Sequence, residues 1–507
     1  MEGFPWWTEE QKKFADEIEK FVNQIVPRAE EAWWKKEFPW DLVKMITERG
    51  YFGAGIPKEY GGLGLGATGV CIASEELCRI TGLGQGIFIC TMLGGLRQII
   101  EFGTEEQKRR FLGRIAKGEL GAICITEPFV GSDAAGIETY ARRDRDRYIL
   151  TGKKRFTTGV GIASRYMLYA RTSDDPEDIL RHKHLTGFIV EKGMPGFTVE
   201  KVNELICFDN IQNGYLNLDE VPVPIQNRIG EEGQGWSVMT GGLNYERTFV
   251  AAGSLGQLNT LVRTVVPYAQ RRVQFGRPTI DLVNNQSKIA DLFMAIKLAR
   301  LATYYTAYLL DLGQSAVIES AICKIFNTDR TLEACIDNIQ VMGGDGVTKF
   351  YPIEGILRQA KTDQIVGGTN EIGRLLIFRM GLREIEKELK GQRRVIHKEL
   401  GVPITTFEKP MRQSQIDEES LLKVLSEDYK INPGLCMSRE DLRNLFDVDD
   451  KALDELLTLL EQKKLAKLYR GKKGIELVKA TYEGLKKTYP SEYYQWFPSW
   501  VKKENIF

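Results

Sequence analysis

The hydrophobic period changes twice along this chain, and the order of those changes limits the folds open to it. From residue 8 to about 120, apolar residues recur at three- and four-residue spacing, as in EEQKKFADEIEKFVNQIV and FPWDLVKMITERG, the pattern of amphipathic helices. GGLGLGATG breaks it; CIASEELCRI and GTEEQKRRFLGRIAKG resume it. From about 121 the runs shorten to RYILTGKKRFTTG, RYMLYART, LTGFIVEKG and GFTVEKV, β-rich and separated by glycines and charged turns. From about 236 the helical period returns in NYERTFVAAGSLGQLNTLVRTVVPYAQRR and QSKIADLFMAIKLARLATYYTAYLL, ending near 390. The order predicts a mainly α protein with a central β domain: helical over 1–120, β over 121–235 and helical over 236–390. A chain of 507 residues is too long for one core, so about two to four domains are expected.

Residues 391–415, GQRRVIHKELGVPITTFEKPMRQSQ, are basic, proline-containing and aperiodic, and read as a linker. Residues 416–507 form a last segment. DEESLLKVLSEDY, SREDLRNLF and DVDDKALDELLTLLEQKKL read as helices, the second with Ser438 as N-cap. LAKLYRGKKGIELVKATYEGLKKTY reads as strand, glycine-bounded turn, strand and helix. At the level of pattern this resembles a small α/β winged helix-turn-helix domain. Its third helix carries Asp449, Asp450, Asp454, Glu455 and Glu461 against Lys451, Lys463 and Lys464, a balance that phosphate repels. The basic turn with Arg470, Lys472 and Lys473 offers few phosphate contacts, so this domain is expected to dock protein rather than nucleic acid. The tail YYQWFPSWVKKENIF is aromatic-rich, and is expected to pack on the body or on a partner.

Lysine plus arginine and aspartate plus glutamate both number 69, so the chain carries no global field for nucleic acid or anionic membrane. No apolar run reaches the roughly 18 residues that span a bilayer. The acidic MEGFPWWTEEQKKFADEIEK lacks a basic or apolar leader region, and a soluble cytoplasmic protein is expected. The eight cysteines form no CxxC pair, so neither disulfides nor a metal site are expected. Of three histidines, His182 and His184 lie in ILRHKHLTG, read as a solvated loop, and His397 in a charged stretch. Acid-base chemistry therefore falls to carboxylates.

ICITEPFVGSDAAGIETYARRDRDRYILTGKKRFTTG is the most specific stretch. Thr126, Ser132, Thr157 and Thr158 stand in tight turns at strand ends, where hydroxyls either face a ligand or cap local backbone; the residues alone leave both open. The stretch resembles the flavin- and substrate-binding loop of the acyl-CoA dehydrogenase family. The likeness continues in order through RRVQFGRPTIDLVNNQ and QVMGGDGVTKFYPIEGILRQAKTDQIVGGTNEI, over about the first 390 residues.

The resemblance implies α-helical, β-barrel and four-helix-bundle domains, with FAD in the cleft between them. It implies a homo-oligomer built as a dimer of dimers, an acyl-CoA substrate, and electron transfer flavoprotein or a comparable electron acceptor. By the same likeness Thr126 and Thr158 bond the flavin ring, Phe156 covers the ring edge, and Ser132 lies near cofactor and pantetheine arm. Arg272 and Phe275 match contacts to the diphosphate and adenine across the dimer, and Gln286 a nearby cofactor contact. Gln340, Gly343 and Gly344 match a turn whose backbone approaches the diphosphate; Thr369 and Glu371 match the last FAD contacts. The chemistry agrees, since glycine lets amides close on anionic oxygens and arginine forks onto them. Two positions depart from the family pattern. Phe156 stands where tryptophan is frequent, giving up an N–H donor, and Gly159 replaces a frequent asparagine.

Oxidising an acyl thioester removes a proton from Cα and a hydride from Cβ. It needs a carboxylate at Cα and donors at the thioester oxygen. Many family members place a glutamate where this chain has Gly367. In the isovaleryl and long-chain branches the base instead directly precedes an arginine, in a stretch similar to GGLNYERTFVAAGSLG. Here that position is Glu246, followed by Arg247. The resemblance thus implies Glu246 as base, the Gly367 amide as donor to the thioester carbonyl, and Arg247 as an orienting contact to acyl-CoA. Residues 81–95, TGLGQGIFICTMLGG, are expected to line the far end of the acyl pocket. Gln85, Phe88 and Ile89 are uncharged, and point to a short branched or alicyclic acyl group rather than a dicarboxylic one. A flavin oxidase of the same fold and a catalytically weak acyl-CoA sensor share these motifs and stay open.

Overall fold

Helix α1 (Glu9–Lys35) starts at a capping box, in which Thr8 and Gln11 each satisfy the other's backbone N–H. In the computed structural model the described residues are 3–80, 94–207, 210–389, 416–431, 436–446, 448–471 and 474–491. They fall into two compact units, Met1–Gly381 and Leu382–Phe507. Residues Gln85, Phe88 and Ile89, the linker 391–415, His397, Lys472, Lys473 and the aromatic tail from 492 lie outside the described residues.

In the first unit α2 (Trp40–Glu48), α3 (Gly66–Leu77), α4 (Leu96–Phe102) and α5 (Glu105–Ala116) follow α1. The residues of α3 from Ala67 to Leu77 are all buried. Its buried Glu75 is paired with Arg300 and accepts from the Tyr304 hydroxyl at 2.6 Å, which offsets the cost of burying a charge. The helix has no cap of its own. Asp311, 244 residues away, accepts from the Ala67 N–H at 2.5 Å, and also from the Thr68 N–H at 3.1 Å.

The β domain comprises β1 (Gly121–Cys124), β2 (Tyr140–Asp144), β3 (Arg147–Thr158), β4 (Arg165–Arg171), β5 (Leu185–Glu191), β6 (Phe197–Val202), β7 (Asn213–Pro224) and β8 (Arg228–Ile229). Their order is β6-β7-β3-β2-β4-β5-β8, with β1 parallel to β4. Its core is formed by Tyr148, Leu150, Tyr166, Leu168, Phe188, Val190 and Leu216, all of them buried. Strand β7 is absent from the expectation, because Pro222, Pro224 and its polar residues mask the alternation. The expectation for His184 is also corrected. It is 2% exposed, and its Nε2 lies 2.8 Å from the Ala135 carbonyl oxygen. His182 stacks on Trp236 at 4.6 Å between ring centroids.

Helix α7 (Gly235–Arg271) leads through the hairpin β9 (Val273–Gln274) and β10 (Arg277–Pro278) to α8 (Val283–Asp311). Then come α9 (Val317–Met342), α10 (Ile353–Asp363) and α11 (Asn370–Leu389). Every residue of α7 from Tyr245 to Leu258 is buried. Small residues allow this: a Cβ on Gly256 would stand 2.1 Å from the Glu75 carbonyl oxygen of α3. Polar ties hold the bundle in register, as where Asn327 Nδ2 donates to Ala251 O and Thr303 Oγ1, each at 2.8 Å.

The second unit runs α12 (Glu418–Ile431), β11 (Met437–Ser438), α13 (Arg439–Leu445), α14 (Asp450–Gln462), β12 (Ala466–Gly471), β13 (Gly474–Ala480) and α15 (Tyr482–Thr488). The strands pair antiparallel in the order β11-β13-β12. Ser438 caps α13 in a capping box with Asp441, and Leu421, Leu425, Leu442, Leu453, Leu457 and Leu460 form the core.

Candidate active site

Glu246 lies within the buried stretch of α7. One of its carboxylate oxygens, Oε1, accepts from Gln98 Nε2 of α4 at 3.4 Å. Burial pushes the carboxyl up to about 7, against the opposing pull of the Gln98 amide and then of Arg247. The Tyr169 phenol from β4 is buried nearby, its acidity suppressed by burial first and by Glu246 second. Such a carboxyl exchanges a proton near neutrality, as a general base requires.

Arg247, the next residue, turns toward the loop after α10. Its Nη1 donates to Asn244 Oδ1 at 3.2 Å, and its Nη2 lies 3.7 Å from where a Cβ on Gly368 would stand. The fold thus brings positions 246–247 and 367–368 to one place, although about 120 residues separate them. Gly367 has φ +66°, a conformation that disfavours side chains, and no atom of the described residues lies within 4 Å of its Cβ position.

Helix α9 holds this loop. Lys324 Nζ donates to Gln364 O (3.1 Å), Gly368 O (3.0 Å) and Asn370 Oδ1 (2.7 Å). Asp329 accepts from Gln364 Nε2 and Asn370 Nδ2, each at 2.8 Å, and from Arg374 Nη2 at 2.6 Å. Burial draws the Lys324 ammonium down to about 8. Neither residue was singled out in the sequence. The available signal was a lysine in the apolar phase of α9, between the buried Ala321 and Thr328.

The hydroxyl cluster sits on β3 and the turn after β1. A register shift between Lys154 and Thr157 turns Phe156 outward, at φ +55° and 46% exposed, while Lys154 and Thr157 point inward. Arg155 N donates to Thr126 O at 2.8 Å, which places Thr126 beside this bulge. Thr158 Oγ1 accepts from Asn213 Nδ2 at 2.9 Å. Lys154 Nζ and Glu127 Oε1 form a buried pair at 2.6 Å, and Glu127 also accepts from the Glu138 and Thr139 amides. Burial pushes the Glu127 carboxyl up, but Lys154 and these donors outweigh it and hold the carboxyl below its usual range. Exposed Ser132 lies on the turn so anchored, and His184 holds the same turn at Ala135.

The remaining positions lie on other parts of the first unit. Arg272 caps the end of α7 and is exposed, with no ion pair among the described residues. Phe275, 89% exposed at φ +52°, forms the tip of the β9–β10 hairpin, and Gln286 is exposed in the first turn of α8. Gln340, Gly343 and Gly344 are exposed at the end of α9. Thr369 Oγ1 accepts from the Ile372 amide at 3.3 Å, opening α11, and Glu371 is exposed in its first turn. These positions suit a dinucleotide: among the described residues the Cβ positions of Gly343 and Gly344 are open, and the Arg272 guanidinium has no carboxylate partner. The arrangement does not place Arg272, Phe275 and Gln286 beside Glu246; they sit past the far end of α7.

Family models match three consecutive stretches: the acyl-CoA dehydrogenase N-terminal domain over residues 8–119, the middle domain over 122–221 and the C-terminal domain over 233–382. The chain belongs to the acyl-CoA dehydrogenase family. An acyl-CoA dehydrogenase of Bacillus subtilis is 36% identical over 372 residues, covering 73% of this chain and 97% of that relative. The structure of butyryl-CoA dehydrogenase from Megasphaera elsdenii matches with TM-score 0.71 and 31% identity, over 75% of this chain and all of its own. A chain from a structure described as an electron transferring flavoprotein of Acidaminococcus fermentans matches with TM-score 0.72 and 33% identity, again over 75% and 100%. The protein is an FAD-dependent oxidoreductase with the acyl-CoA dehydrogenase fold. None of these matches covers more than about three quarters of the chain, so the second unit stands beyond them.

Proposed function

We propose that this acyl-CoA dehydrogenase oxidises a short branched or alicyclic acyl-CoA at Cα–Cβ, with Glu246 taking the Cα proton. The observation that carries this reading is a buried carboxyl near neutrality, one residue from an arginine that faces the loop of Gly367 and Gly368. The Gly367 amide would donate to the thioester carbonyl, where enolate-like charge develops. Its missing side chain leaves room that a second carboxylate would fill. Arg247 would orient the acyl-CoA, and Ser132 would contact its pantetheine arm.

FAD, when bound, supplies the hydride acceptor. Thr126, Thr158 and Phe156 would border its ring, and Gln340, Gly343, Gly344, Thr369 and Glu371 would contact the rest. Arg272, Phe275 and Gln286 would reach the diphosphate and adenine held by a neighbouring subunit. Support for such a neighbour comes from the hairpin, which projects Phe275 from the chain. It also comes from α8, where Met294, Leu298, Leu301 and Tyr305 form a half-exposed apolar stripe at helical spacing. A dimer of dimers would cover both.

The electron acceptor in this reading is electron transfer flavoprotein or a comparable flavoprotein, supported by the likeness to the Acidaminococcus chain. The second unit is read as a winged-helix-like docking domain for protein. In it Arg439 pairs with Asp454 at 2.7 Å and Asp450 at 3.2 Å, so these two acidic residues of α14 are answered within the unit. The deciding experiment is anaerobic bleaching of the bound flavin against a panel of acyl-CoA thioesters. Rapid bleaching by branched or alicyclic members is expected. Bleaching by none would sink the reading and favour a sensor.

A further inference from the structure

Gln98 belongs to no motif singled out above, yet it is 1% exposed and its amide ends at the Glu246 carboxylate. Its route is built into α7. A Cβ on Gly242, one turn before Glu246, would stand 2.1 Å from Gln98 Nε2. A methyl there would push the amide from its place across the helix. Gln98 donates to Oε1 at 3.4 Å, and among the described residues Oε2 takes no hydrogen bond from a protein donor. Among the described residues the two carboxylate oxygens are thus inequivalent, with Oε1 held by Gln98.

We propose that Gln98, seated on Gly242, is a positioning residue that fixes the Glu246 carboxylate and selects the oxygen that accepts the substrate proton. The inference rests on Glu246 being the base. Other groups around the carboxylate do not substitute for it. From β4 comes the Tyr169 phenol, which the Gln98 amide also faces, and on its own helix Arg247, whose head goes to Asn244 and the loop at Gly368. Arg97 and Glu101 of α4 pair with each other at 2.6 Å, and Arg97 lies over the Tyr245 ring. Cys323 and Lys324 of α9 act on Arg247. A hydrogen bond donated to the charged form favours that form, so removing Gln98 must make Glu246 harder to ionise as well as looser.

The test is the pH profile of anaerobic flavin reduction by a saturating acyl-CoA, in the full chain. Gln98→Met should keep FAD, slow reduction at pH 7 by about ten- to a hundredfold, and move the acid limb of the profile to higher pH. Gly242→Ala approaches from the opposite side, expelling the amide with Gln98 intact. It should shift the limb in the same direction, and it decides the question alone if Gln98→Met loses its flavin. An unchanged profile in these variants, or a uniform loss of rate with no shift, overturns the proposal. Glu246→Gln run in parallel separates the two layers. If it reduces flavin at wild-type rate, the base reading itself has failed; if it is inert while Gln98→Met behaves as wild type, only the role of Gln98 has failed.

Discussion

Lys324 Nζ donates to the carbonyl oxygen of Gly368 over 3.0 Å, across 44 residues of sequence. With its bonds to Gln364 O and Asn370 Oδ1, one buried ammonium fixes the backbone on both sides of Gly367. A backbone donor is only as well placed as its loop, and this loop contains two successive glycines at positive φ. The clamp offsets their freedom.

Lys324→Met should therefore damage both stability and turnover. It strands three acceptors, each costing on the order of 1–3 kcal/mol when buried without a donor. A clear fall in the melting temperature is expected, with flavin reduction slowed by about tenfold or more. A variant with wild-type melting and wild-type reduction would show that the loop holds itself.

Glu246→Gln should keep FAD and lose reduction by substrate, by roughly 10²- to 10⁴-fold. It should also be more stable than the parent at pH 8. The folded carboxyl is raised from 4.5 to about 7, so the folded state binds the proton more tightly than the unfolded chain. Native stability then falls as pH rises through that window. At about 1.4 kcal/mol per unit, the gain on substitution approaches 3 kcal/mol at pH 8 and vanishes near pH 4.5. Urea melts at pH 8 and pH 5 measure it; equal midpoint shifts at the two pH values would contradict the raised carboxyl.

The rate of flavin reduction by a saturating, non-ionising acyl-CoA should climb with pH through the region of 7, where Glu246 loses its proton. Stopped-flow traces between pH 5.5 and 8 test this. A flat profile would mean that another group accepts the proton.

Moving the carboxylate should be tolerated in part. Among the described residues nothing crowds the Cβ position of Gly367, but its φ of +66° strains any side chain. Glu246→Gly with Gly367→Glu should reduce flavin faster than Glu246→Gly alone, yet remain below the parent. No recovery at all would mean that the two positions do not serve one carbon.

Ending the chain after residue 390 should leave a flavin-binding body that acyl-CoA still reduces, with altered assembly or acceptor docking. The isolated 416–507 fragment should bind duplex DNA no better than about micromolar at physiological salt. Nanomolar, salt-sensitive binding would revive a regulatory role. The pairing of Arg470 with Glu461 at 2.5 Å argues against it, because it answers part of the charge on the basic turn.

The sequence by itself determined most of the elements and the family. Three- and four-residue spacing marked α1, α7 and α8, short β-rich runs marked β3 to β6, and Ser438 marked a helix start. The family likeness of the Glu246–Arg247 stretch and the empty position at Gly367 pointed to Glu246 as the candidate base before any fold was known. Periodicity reports which face of a segment is buried, but not what buries it. Only the tertiary structure brought Gln98 over Gly242 to Glu246, Lys324 to Gly368 and Asp311 to the bare start of α3. It also buried His184, which its charged and polar neighbours had marked as solvated. The same holds for the proton affinity of Glu246. A carboxyl is held near 7 by the desolvation that other segments impose, and desolvation is a property of the packed chain, not of the residues on either side.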